Sequence, residues 1–171
     1  MFISSKTPIL FQTSQAIINK TGSAEQGRKI RITLDSGSQR YYITNHLKKE
    51  LNLSIDHQET MLIKTFGSKE KSQTCDVVHL SIKLLEGKDM QTSAYSVPLI
   101  FEPLTGQTEA LAKNMYDHLS GLHLADYSSE SAPADVDVLI GSDQYWQLVT
   151  GSTKGRKGPT HKTGLGAIWP K

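Results

Sequence analysis

The sequence predicts a mainly β domain with two or three short helices, and three observations predict it. Apolar residues alternate in separate runs. Ile30, Ile32 and Leu34 share a face of "RKIRITL" (28–34), and Val78, Leu80, Ile82 and Leu84 share one of "VVHLSIKL" (77–84). Turn-forming clusters such as "KTGSAEQG" (20–27) divide the runs. Helical periodicity is confined to short stretches. A chain of 171 residues fits a single domain, 1–171, long enough to bury a core.

In chain order, "PILFQTSQAIIN" (8–19) has strand composition, and 28–34 is a second strand running into Asp35. In "ITNHLKKELNL" (43–53) the period changes: Ile43, Leu47 and Leu51 form one helical stripe, with Thr44 or Asn45 as cap. Residues 59–87 read as two strands about a charged tip, "FGSKEKS" (66–72), and "TSAYSVPLIF" (92–101) as another strand. The polar stretch 102–134, with one helix near 109–119, reads as a surface insertion outside the core. "DVDVLIG" (135–141) is a short buried strand. "SDQYWQLVTG" (142–151) is a helix capped by Ser142 and stopped by Gly151, and the last fourteen residues hold a terminal strand.

Composition narrows the function. A net charge of +2 argues against nucleic acid or an anionic membrane as the main partner, and no apolar run approaches the ~20 residues of a membrane-spanning helix. The basic run "TKGRKGPTHK" (153–162) reads as a solvated loop. "MFISSKTPILF" lacks the apolar core of a signal peptide. Cys75 is the only cysteine, which excludes an internal disulfide and suits a reduced, intracellular setting; its place is a half-buried strand. The six histidines form no His-x-x-x-His pair, so no metal site is expected, and no cofactor either. "GSTKGRKG" lacks the ending of a phosphate loop. "SKEK", "SDQ" and "KTG" follow the order of penicillin-recognising serine enzymes. Ser68, however, sits in a charged hairpin tip, not at the start of a buried helix where that chemistry needs it.

Asp35-Ser36-Gly37 is different in context. It directly follows an alternating strand and precedes a helix signal. That setting can hold a carboxylate on a short rigid turn, with Gly37 letting a substrate backbone approach and Ser36 free to bond another loop. By itself the triplet is also an ordinary turn.

Three segments make it specific. "LDSGSQRYYIT" (34–44), "LADYS" (124–128) and above all "DVLIGSDQYWQLVTG" (137–151) resemble the retropepsin-like aspartic peptidase domain of Pao/BEL-type LTR retrotransposon polyproteins. Weaker matches at "LFQTSQAII" and "KTGLGAIWP" extend the resemblance over nearly the whole chain. It implies a closed β-barrel or sandwich protomer in a two-fold homodimer. Asp35 is then the catalytic aspartate in a loop with Ser36, Gly37 and Ser38. Thr65, Phe66, Gly67 and Ser68 form a flap over the substrate, and Leu139, Ile140 and Gly141 brace the active-site loop. The implied substrate is an extended peptide of the element's own polyprotein, cut in the cytoplasm within a virus-like particle; no nucleic acid or membrane is required. The chain has one Asp-Ser-Gly and no second such triplet, so a peptidase dyad needs two copies. Residues 8–19 and 160–169 are the expected interface sheet. Retroviral enzymes usually pair an acidic residue two places after the triplet's glycine with an arginine after the second motif's glycine. Here those positions hold Gln39 and Ser142, and a charge-swapped Arg40–Asp143 pair is the expected substitute. The alternative is a catalytically weak dimer of the same fold that binds peptides or acts as a scaffold.

Overall fold

The structure is a computed structural model describing residues 13–23, 27–63, 71–84, 87–101, 135–154, 160–163 and 166–168. Strands β1 (Thr13–Lys20) and β2 (Arg28–Leu34) pair antiparallel, with Ala16 opposite Ile30. β2 then runs parallel to β7 (Val138–Ile140), which pairs antiparallel with β3 (Tyr42–Thr44). β3 is parallel to β6 (Asp89–Val97), and β6 is antiparallel to β5 (Lys71–Lys83). Residues Leu80–Lys83 of β5 return to pair with β1, closing a six-stranded barrel. No edge is left in the closed ring.

Period-two alternation explains which residues fill it. Ile18, Ile32, Ile43, Leu80, Ile82, Val138 and Ile140 are fully buried inside. Each such side chain contributes about 1.5–3 kcal/mol relative to exposure. Ile17, one residue out of phase with Ile18, stays partly in solvent.

β5 has thirteen residues and two tasks. Its second half closes the barrel. Its first half pairs with β4 (Ile55–Ile63) as a hairpin that leaves it, with Thr60 opposite Thr74. Residues 64–70, with the expected flap residues Thr65, Phe66, Gly67 and Ser68, lie outside the described residues, as does the expected insertion 102–134.

Helix α1 (Asn45–Glu50) begins where the sequence places it: the Thr44 hydroxyl accepts from Leu47 N at 3.2 Å. The same hydroxyl donates to Asp137 Oδ1 at 2.7 Å, tying the helix start to the approach of β7. Asn52, at φ 48, ends the helix in a left-handed turn that Asn tolerates. Ile43 of the expected stripe lies in β3 instead, and its side chain still points into the core.

Two expectations need correction. Helix α2 (Ser142–Leu148) takes Gly141 as its N-cap, with no side-chain cap, and ends before Gly151 because Val149 enters β8 (Val149–Lys154). Its β-branched Val149 pairs with Thr163 across the sheet. The terminal strand is two strands, β9 (Thr160–Thr163) and β10 (Gly166–Ile168), and β9 pairs with both β10 and β8 in a separate three-stranded sheet. Ile17 and Ile18 of β1 pair with both β2 and β5, which places this part of the expected interface segment 8–19 in the barrel wall.

Candidate active site

Asp35 leaves the end of β2, where the parallel ladder with β7 gives out. Leu34 still pairs with Ile140, and Asp35 N donates to Ile140 O at 2.9 Å. The chain then turns: Ser38 N donates to Asp35 O at 3.1 Å, and Gly37 N donates to the Asp35 carboxylate, Oδ1, at 3.0 Å. The carboxylate orientation is thus set by the backbone of its own triplet. Ser36 and Gly37 are exposed at the turn, and a Cβ at Gly37 would meet only Asp35 Oδ1, at 3.3 Å.

The second motif lies alongside. Leu139 and Ile140 are the buried end of β7. Gly141 presses on the backbone of Arg40, where an added Cβ would stand 2.8 Å from Arg40 N. Ser142 N donates to Ser38 O at 2.7 Å, and Ser38 Oγ to Arg40 O at 3.0 Å. Backbone bonds and a glycine contact therefore do the joining here.

The Arg40–Asp143 pair does not form. Asp143 Oδ1 accepts from Gln144 N at 3.1 Å, while the Arg40 guanidinium lies over the Tyr95 ring, 5.7 Å from its centroid. The offset of one residue turns the two side chains apart: Arg40 is exposed toward the β4 hairpin. Between them in the chain, Tyr41 points inward, 1% exposed, with a buried hydroxyl that has no hydrogen-bond partner among the described residues. Burial, reinforced by Asp143, pushes its pKa far up, so it stays neutral.

Several residues of this region escape sequence reasoning. A groove of about 510 Å³ opens beside the loop, lined by Ser38, Gln39, Arg40, Tyr42, Glu59 and Met61 among others. Tyr42 and Tyr95 rings stand 6.2 Å apart, and the Tyr95 hydroxyl donates to Glu59 Oε2 at 2.8 Å. That bond, then burial, raises the pKa of Tyr95, which keeps it a donor. Cys75, Val77, Tyr95 and Val97 form a second apolar cluster behind the groove, and burial pushes the Cys75 thiol up, with Asp76 adding to the shift. Cys75 is fully buried, more than the half-burial expected. Glu59 and Tyr95 are 36 residues apart, and only the β4–β5–β6 topology joins them. Among the described residues no group of histidine, cysteine or carboxylate side chains is arranged to hold a metal, and no helix is long and apolar enough to cross a membrane.

A closed β-barrel that carries an Asp-Ser-Gly loop on parallel-paired strands, beside a projecting hairpin, has the architecture of a retropepsin-like barrel. Residues 16–163 match the model of the family described as "Putative peptidase (DUF1758)", and the chain belongs to that family. No curated protein matches it.

Proposed function

We propose that the chain is an aspartic endopeptidase of the retropepsin type, active as a two-fold homodimer with one Asp35 from each copy. The observation that carries this reading is the Asp35 turn itself. Its carboxylate is oriented by Gly37 N, and the turn is held at Asp35 N by β7 and at Ser38 O by the start of α2. A rigid carboxylate near the mouth of a barrel is what the chemistry requires. Membership of a peptidase family and the sequence resemblance to Pao/BEL-type elements support it.

The mechanism follows from two such carboxylates sharing one proton around a water. The ionised Asp35 takes a proton from the water as its oxygen attacks the scissile carbonyl carbon. The protonated Asp35 of the second copy donates to the carbonyl oxygen. Collapse of the tetrahedral intermediate breaks the C–N bond as the first Asp35 gives its proton to the leaving amine nitrogen and the second takes a proton back from the intermediate's hydroxyl. Ser36 bridges the two loops, Gly37 receives the substrate backbone, and Leu139, Ile140 and Gly141 hold the floor. The β4–β5 hairpin, with the 65–68 tip, is the flap. The substrate is an extended segment of a retroelement polyprotein, laid along the hairpin as an added strand.

The test is cleavage of a mixed peptide library, from mildly acidic to neutral pH, by wild type and Asp35→Asn. Cleavage with a bell-shaped pH profile should fall by at least about a thousandfold in the variant. Equal cleavage by both proteins, or none by a wild type shown to be dimeric, overturns the proposal.

A further inference from the structure

We propose that the groove beside the Asp35 loop takes a carboxylate side chain of the bound peptide, with Arg40 as its ligand, so that the chain selects substrates acidic at one position. The inference rests on the peptidase reading above for its substrate, but not for its binding chemistry.

Arg40 is an available cation in a built setting. Its guanidinium lies over the Tyr95 ring, 5.7 Å from the centroid, and Tyr95 is in turn packed against Tyr42 at a 48° tilt. Among the described residues no carboxylate lies within 4.0 Å of it, and its pairing with Asp143 does not form. The single acidic residue of the groove lining, Glu59, is already engaged. Its Oε2 accepts from the Tyr95 hydroxyl at 2.8 Å and lies 4.0 Å from His57 Nε2. Glu59 thus holds the ring on which Arg40 rests rather than capping Arg40 itself. A guanidinium held over an aromatic ring with no carboxylate on it still has N–H groups for a planar, two-oxygen partner.

The position suits a side chain of an extended peptide. Among the described residues β4 pairs only with β5, so its outer edge is open to main-chain hydrogen bonds from an added strand. Alternate side chains of that strand face the groove. Tyr42 and Met61 offer apolar surface to the methylene stem of a glutamate, with the Arg40 cation for its end. A lysine or arginine in the same place meets like charge.

The test separates binding from cleavage. The full chain carrying Asp35→Asn is used to select from a randomised peptide pool, and the retained peptides are sequenced. Glu and Asp should be enriched over Gln and Asn at one position by about fivefold to tenfold. The preference should persist in Arg40→Lys, vanish in Arg40→Gln and turn toward Lys and Arg in Arg40→Glu. No enrichment, no retention of any peptide, or an acidic preference that survives in both Arg40→Gln and Arg40→Glu overturns the inference. If the selection behaves as stated while wild type cuts nothing, the groove stands and the peptidase reading falls. If wild type cuts peptides without regard to acidic residues, the reverse holds.

Discussion

At the scale of single residues, two glycines divide the labour of the site. Gly37 faces outward, where an added methyl meets only the Asp35 carboxylate. Gly141 faces the backbone of Arg40, where a methyl has no room. Gly141→Ala should therefore overpack the junction of the two loops, costing about 1–3 kcal/mol and lowering Tm by roughly 3–10 °C. Gly37→Ala should leave Tm almost unchanged. A thermal melt of the two variants checks this; equal melting temperatures would show that the loops are joined by something else. Both glycines are legible in the sequence, since each closes a motif at a strand end. The Arg40 orientation is not: the residue offset suggests a partner in Asp143, while the aromatic surface it prefers comes from β6, more than fifty residues later.

At the scale of elements, the hairpin depends on how its root is fixed. Lys48 of α1 reaches Asp76 Oδ2 of β5 at 2.6 Å, and Gln58 of β4 donates to Asp76 Oδ1 at 2.7 Å. The side chains of this ion pair are only 14% and 20% exposed. Hydrogen bonds from Lys48 and then Gln58 hold the Asp76 carboxyl below the usual carboxylate range. A depressed folded pKa contributes stability that is complete above the unfolded value of about 3.9 and is lost as pH falls through the folded value. The Tm of wild type should thus fall more steeply below about pH 4 than that of Asp76→Asn or Lys48→Met. Asp56, held low chiefly by its bond to His57, contributes in the same direction in all three proteins. Parallel Tm curves would contradict the brace. β5 and β2 are plain in the sequence because one face of each is buried. The start of β4 is not, because Ile55, Asp56, His57 and Gln58 are all exposed and carry no alternation.

At the scale of the whole molecule, the barrel and the small β8–β9–β10 sheet are separate pieces of hydrogen bonding. Alternation shows which face β2 and β5 bury, though not the short β3 or the division of the terminal segment into β9 and β10. It does not show that β1 turns back to β5, since a strand with two paired edges and a strand in a terminal sheet have the same composition. Nor does it show the groove, whose walls come from the loop after Asp35, β3 and β4. The proposed homodimer rests on a count instead: one Asp-Ser-Gly per chain cannot supply both carboxylates of an aspartic peptidase dyad.

That count gives the most direct test. Wild type and Asp35→Asn are mixed at equal amounts, allowed to exchange subunits, and assayed for peptide cleavage at fixed total concentration. If each site takes one Asp35 from each copy, only dimers with two wild-type copies cut, and activity falls to about one quarter of that of wild type alone. Activity of about one half, in proportion to the wild-type chain present, would contradict a shared site and assign the chemistry to a single copy.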